Sequence, residues 1–203
     1  MHEATATSGT LVTFDTGPLL CFGHLPRGVR IVRQRYFQRM RWTEAVMNEI
    51  VHHAERRGTN TDNAELSAAA KKWTGRDRGA FGEPHCFAER ADVEKMRQLV
   101  RAASRNPKSD DSDLGESETL LFAQQTASVA MIDENAGRKV AGNLGIRAHC
   151  TLDVLIAEYQ DGRLPLTELK RMWELLRSSG LDGGDVLPSD RGALRRWPSP
   201  APQ

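Results

Sequence analysis

Two periodicities alternate along the chain. Short apolar runs such as Leu11–Phe14, Val129–Ile132 and Ile146–Cys150 have the length and density of buried strands. Between them lie longer segments whose apolar members recur every three or four positions, the signature of helices with one buried face. In the first half this predicts a strand at Thr10–Phe14, helices at Thr16–Leu25 and Val29–Gln38, and a short strand at Met40–Thr43. A helix follows through Trp42–His53, with Thr43 as its cap and Val46, Met47, Ile50 and Val51 on one face. The middle predicts helices at Ala64–Trp73 and Ala91–Ala103, a strand at His85–Ala88, and polar loops at Arg56–Asn63, Gly75–Pro84 and Ser104–Asp113. The C-terminal half predicts helix Gly115–Gln125, strand Val129–Asp133, helix Glu134–Leu144, strand Ile146–Cys150, and helices Leu152–Gln160 and Leu166–Ser178. Strands alternating with helices of this length mean βαβ units, hence an α/β fold with a central parallel sheet.

The 203 residues suit one domain with a substantial core. Residues 1–9 read as a disordered lead and 181–203, rich in Gly and Pro, as an extended or disordered tail. The N-terminus has no basic start and no apolar run, so it is not a secretory signal, and no apolar run approaches a membrane span. The cysteines, Cys21, Cys86 and Cys150, fit neither a zinc site nor a disulfide framework. That pattern suits a reducing cytoplasm.

A formal net charge of +1 does not mark a nucleic-acid binder, but the distribution of charge is uneven. No acid lies between Asp15 and Glu44, where six arginines stand: Arg27, Arg30, Arg33, Arg35, Arg39 and Arg41. Residues 109–118 hold five acids and no base. A basic surface beside an acidic cluster is what a metal-dependent enzyme acting on a polyanion needs.

Four acids stand out. Asp15 and Asp133 each end an apolar strand, Glu49 lies beside the apolar face of the Trp42–His53 segment, and Glu116 opens a helix. Ligands of open α/β sheets bind at the carboxyl ends of strands. Carboxylates gathered there repel one another unless a cation neutralises them, which points to Mg²⁺ or Mn²⁺ and to phosphodiester chemistry. Each acid also has a plain structural reading. Asp15 and Asp133 suit helix caps, Glu49 a surface pair with His53, and Glu116 a capping box with Asp113. For the third ligand Glu116 comes first, with Asp113 or Glu118 as helper; Arg138 stands a turn beyond Asp133, placed to brace a carboxylate or touch phosphate.

In this order of elements the chain resembles a PIN-domain nuclease of the kind found as toxins in bacterial toxin–antitoxin pairs. The resemblance rests on LVTFDTGPLL at 11–20, WTEAVMNEI at 42–50, LGESETLLFA at 114–123 and MIDENAGRKVA at 131–141. It continues from Leu144 to Gly162 and covers about 10–60 and 112–180. The segment from Arg56 to Asp111 is longer than a compact member needs, and Gly-Glu-Ser-Glu replaces an Asp leading the third motif.

The resemblance implies a three-layer sandwich over residues 10–180, with helices on both faces of the sheet and a helical middle segment at 56–111. It implies a Mg²⁺- or Mn²⁺-dependent endoribonuclease that leaves a 5′-phosphate. Asp15, Glu116 and Asp133 would bind the metal, Glu49 would complete the catalytic acids, and Arg33 and Arg35 would hold RNA. A small antitoxin would cover the cleft, and a homodimer would bury the apolar members near Tyr36, Phe37 and Leu166–Leu176. The alternative is a non-catalytic PIN-like module that binds RNA or a protein. Phe14-Asp15-Thr16-Gly17 also matches an aspartic-protease motif, but such enzymes need a β-rich fold and a second Asp-Thr-Gly, which this chain lacks.

Overall fold

The computed structural model describes residues 9–56, 61–75, 80–104, 113–181 and 183–198. Four strands, β1 (Val12–Phe14), β2 (Met40–Arg41), β3 (Val129–Met131) and β4 (Ala148–His149), form one parallel sheet in the order β2-β1-β3-β4. The first half of the chain builds β1, α1 (Thr16–His24), α2 (Gly28–Tyr36), β2 and α3 (Glu44–Glu55). The middle supplies α4 (Thr61–Thr74) and α5 (Arg90–Ala103). Then come α6 (Leu114–Thr126), β3, α7 (Asn135–Asn143), β4, α8 (Thr151–Gln160), α9 (Leu166–Ser178) and α10 (Arg191–Arg196).

Side chains alternate across a strand, and here the alternation sorts two cores. Val12, Phe14, Val129 and Met131 join one apolar cluster with α1 to α4, α8 and α9. Ala130 and Ile132 join a second, with α5, α6 and α7. The sheet therefore lies between two helical layers, the three-layer arrangement expected. Thr43 caps α3 as predicted, its hydroxyl accepting from the Val46 amide.

The middle segment fills both layers. Trp73 of α4 donates its indole N–H to the Leu19 carbonyl of α1 at 2.6 Å and packs edge-on against Phe81, which stacks on Trp42. The backbone of α4 approaches α1 so closely that a Cβ at Gly23 would stand 2.4 Å from the Ala69 carbonyl. On the other side Val93, Met96 and Val100 of α5 join the second core.

Much of the apolar surface that the sequence assigned to a homodimer packs within the chain. Tyr36, Leu169, Met172 and Leu176 are buried, Leu166 and Leu175 are partly buried, and Phe37 is 65 % exposed.

Four expectations change. The strands are shorter than their apolar runs, since a strand extends only where a neighbour pairs with it. His85–Ala88 yields a single parallel bridge, His85 with Thr43. The tail expected to be extended instead folds back from Gly183 to Trp197 and includes α10, with Leu194 fully buried. Apolar Leu187, Leu194 and Trp197 drive this, because they pack on the main core. Arg35, expected at an RNA surface, is buried, as described below. Residues 1–8 and most of the Ser104–Asp113 loop lie outside the described residues. No helix among those described is long and apolar enough to cross a membrane.

Candidate active site

The chain leaves β1 toward β2 on one side and β3 toward β4 on the other. The carboxyl ends of β1 and β3 therefore flank a crevice, the switch point where open α/β sheets bind ligands. Asp15 and Asp133 stand at its two walls. Asp15 follows β1 directly, and its amide donates to the Met131 carbonyl of β3. A Cβ placed on Gly17 would stand 3.8 Å from Asp15 Oδ2 and 3.9 Å from Asp133 Cβ, so both side chains border the first turn of α1.

Asp15 occupies the cap position of α1 but makes no capping bond with its side chain. Its carboxyl is buried, and burial first, then the charge of Glu49, push it up from 3.8 to about 8. The Thr16 amide opposes this, and Glu134 and Asp133 add to it.

Glu49 reaches the same crevice from α3. Its Oε2 accepts from the Thr16 hydroxyl at 2.5 Å and its Oε1 from the Gly115 amide at 3.3 Å. It thereby ties the starts of α1 and α6 together and satisfies one of the orphan amides of α6. A Cβ at 115 would stand 2.8 Å from Glu49 Oε1, so a larger residue there would push that carboxylate aside. Burial raises the Glu49 carboxyl, and its two hydrogen bonds lower it.

Glu116, one residue further into α6, is 5 % exposed. It is not half of a capping box, since Asp113 makes no side-chain cap bond. Its carboxylate lies over the first turn of α7, where a Cβ at Gly137 would stand 2.0 Å from Oε1. That oxygen is buried with no hydrogen-bond partner. Burial, then the charges of Asp15 and Glu134, drive this carboxyl from 4.5 to about 9.

Asp133 sits two residues beyond β3 and does not cap α7, whose cap residue is Glu134. Its Oδ1 accepts from the Thr151 amide at 2.7 Å and its Oδ2 from the Thr151 hydroxyl at 2.8 Å.

The helper residues go elsewhere. Asp113 pairs with Arg101 of α5 at 3.3 Å. Glu118 is buried, but its Oε2 accepts from the Ala45 amide at 3.1 Å and so caps the start of α3. Arg138 turns from the acids to the Gly184 carbonyl, Asn135 and Asp185.

Of the two RNA candidates, Arg33 is exposed and Arg35 is not. The Arg35 side chain, 2 % exposed, donates to Glu158 and Asp161, each at 2.9 Å. Two residues are about 200° apart on a helix, so 33 and 35 cannot share a face. Arg33 borders a pocket of about 640 Å³ with Arg27, Arg30, Gln34, Phe37 and Lys72. It opens beside Leu25, at the far end of α1 from Asp15.

Sequence reasoning missed Glu134, Thr16 and Thr151 as site members. Glu134 is exposed, yet its charge acts on both Asp15 and Glu116. Its place directly after Asp133 was the available signal. The two threonines carried none, because their roles depend on residues 33 and 18 positions away.

Among the described residues, no three His, Cys, Asp or Glu side chains converge closely enough to hold a metal ion as they stand. The donor set nevertheless suits a hard divalent cation. It is made of carboxylates, held in a buried crevice at mutual electrostatic cost, and one buried oxygen lacks a partner.

No curated protein and no solved structure matches the chain. A family model does match residues 87–181, which include Glu116 and Asp133 and leave Asp15 and Glu49 outside. That model is DUF3368, a PIN domain; over these residues the chain is similar to it, and together with the four-stranded parallel sheet the match supports a PIN-like α/β sandwich.

Proposed function

We propose that the protein is a Mg²⁺- or Mn²⁺-dependent endoribonuclease, with Asp15, Glu116 and Asp133 as metal ligands and Glu49 completing the catalytic acids. The observation that carries this is the pair Asp15 and Glu116: two buried carboxyls, each pushed upward partly by its acidic neighbours, at the switch point of a parallel sheet. Such an arrangement is costly for stability and useful for cation binding. A divalent ion bound there supplies a more acidic water and neutralises charge on a phosphate oxygen.

The protein's own groups do the rest. Thr16 and the Gly115 amide hold Glu49, leaving it a fixed acceptor at the crevice. Thr151 fixes Asp133. Arg30, Arg33 and Lys72 would hold the RNA backbone through phosphate, and the exposed Phe37 offers a face on which a base stacks. Arg138 and Arg177 border a second pocket, of about 450 Å³, reaching Gly184 beside Asp133. It offers a place for the chain on the other side of the scissile phosphate.

Incubating a mixed RNA pool with and without Mg²⁺ tests the reading: cleavage should need the ion and leave 5′-phosphate ends. Asp15→Asn and Asp133→Asn should each abolish it in folded protein. The resemblance to toxins extends the reading to a small antitoxin partner. Growth arrest on expression, relieved by the small protein of the neighbouring reading frame, tests that part.

A second reading is a non-catalytic module that binds RNA or a protein. Two observations favour it: no three ligands converge among the described residues, and both oxygens of Asp133 are already engaged by Thr151. RNA binding with no cleavage in either Mg²⁺ or Mn²⁺ would decide for it.

A further inference from the structure

The chain beyond the matched family region folds back onto the site. Gly183 accepts at its carbonyl from the Leu152 amide at 3.0 Å, in the first turn of α8. Gly184, at φ +91, packs so tightly that a Cβ would stand 2.3 Å from Cys150 Cβ and 3.2 Å from Asp133 Oδ1. Its carbonyl takes the Arg138 guanidinium of α7. Further on, the Trp197 indole N–H donates to Asp153 Oδ1 at 2.7 Å, while Asp153 Oδ2 accepts from the Cys150 amide at 2.8 Å. At the other end of α8, the Gln160 side-chain amide donates to the carbonyls of Leu194 at 2.8 Å and Trp197 at 2.9 Å.

These bonds all fix one helix. Thr151 is the first residue of α8, and both of its donors grip Asp133. The orientation of the Asp133 carboxylate thus depends on where α8 begins. That point is set from within by Asp153 and from outside by Gly183, Gly184 and Trp197. Partners that orient a metal-binding carboxylate commonly matter for affinity and rate about 10- to 100-fold.

We propose that residues 183–197 form a positioning strap for Asp133, acting through Thr151, with Gly184 and Trp197 as its two fixed points. This rests on the reading of Asp133 as a metal ligand. The strap lies outside residues 87–181, so the site of this chain is completed by a segment that the family match does not include.

Four full-length variants test it. Thr151→Val keeps the shape and the amide but removes the hydroxyl donor, and Thr151→Ser restores that donor. Trp197→Phe keeps the ring and removes the indole N–H. Gly184→Ala forces the strap away from Cys150. Two readouts are needed. The ¹³C shift of the Asp133 carboxyl in metal-free protein reports its hydrogen bonding without any catalytic assumption. Mn²⁺ affinity, with kcat and KM on RNA, reports the consequence.

Thr151→Val, Trp197→Phe and Gly184→Ala should each move the Asp133 signal, weaken Mn²⁺ binding and lower kcat about tenfold at near-constant KM. Thr151→Ser should stay close to wild type. An unmoved Asp133 signal in Trp197→Phe and Gly184→Ala, or a fall in Tm with Mn²⁺ affinity intact, would overturn the strap. Wild-type protein that neither binds Mn²⁺ nor cleaves RNA would sink the nuclease reading instead, and the carboxyl shift would still decide whether the strap holds Asp133.

Discussion

The Thr16 hydroxyl donates to Glu49 Oε2 across 2.5 Å, joining the residue after the first strand-end acid to the acid of α3. This bond explains why the chain carries Thr rather than a bare helix cap after Asp15. The hydroxyl is spent on the site, not on the helix end. Thr16→Val removes the donor at nearly constant volume. Activity should fall about tenfold, as for other partners that orient a functional carboxylate, while stability changes by about 1 kcal/mol. Thr16→Ser should retain activity. Equal rates for Thr16→Val and wild type would remove Glu49 orientation as the role of this residue.

The metal-free protein should lose stability as pH rises. Asp15 and Glu116 are raised in the folded state, so folding favours their protonated forms. Their contribution is complete below the ordinary values of 3.8 and 4.5 and is gone once pH has passed about 8 and about 9. Asp153 and Asp161 are shifted the opposite way and guard the acid end, so the slope from pH 6 to 9 belongs to the raised carboxyls, Glu49 among them. Asp15→Asn and Glu116→Gln should flatten that slope. Each should stabilise the metal-free protein at pH 8 by on the order of 2 kcal/mol. Mn²⁺ should raise Tm most at the alkaline end, and EDTA should reverse it. Chemical denaturation across this range checks the sign; a rising slope would place the acids in separate, solvated environments.

Gly137 and Glu116 should show sign-reversing coupling. Gly137→Ala alone drives a methyl into Glu116 Oε1 and should cost about 1–3 kcal/mol through overpacking. Once Glu116→Ala has removed the carboxylate, the same Gly137→Ala change should be neutral or favourable. Alanine exceeds glycine in helix propensity by about 1 kcal/mol. A double-mutant cycle in urea measures it, and additive effects would contradict the contact.

Arg33 and Arg35 should separate cleanly. Arg33→Glu should weaken RNA binding and reduce the salt slope by about 0.7 for each single-strand phosphate it no longer neutralises. Arg35→Met should leave the salt slope unchanged. It should cost about 1.5–3 kcal/mol, because Glu158 and Asp161 lose one charged donor while Arg163 still pairs with both. Binding titrations at three salt concentrations, with a melting curve for each variant, distinguish the two.

Much of this protein was legible in its residues. Apolar runs of strand length alternating with helical stripes dictate a parallel α/β sandwich, because those periodicities are local consequences of backbone geometry. Asp15 and Asp133 were visible for the same reason, since an acid ending an apolar strand needs no knowledge of its neighbours to be noticed, whereas Glu49 and Glu116, both on helices, stood out through the resemblance. Tertiary structure alone decided the rest. It brought Glu116 within reach of the Asp15 charge and sent Glu118 to cap α3, although both glutamates are buried on one helix. It drew Arg35 inward and left Arg33 outside. It turned a Gly- and Pro-rich tail into a strap, because Leu194 and Trp197 found apolar partners on α8 and its neighbours that no window of sequence contains. It gave Thr16 and Thr151 their roles. A hydroxyl acquires a function only from the group it meets, and folding brought those carboxylates from 33 and 18 residues away.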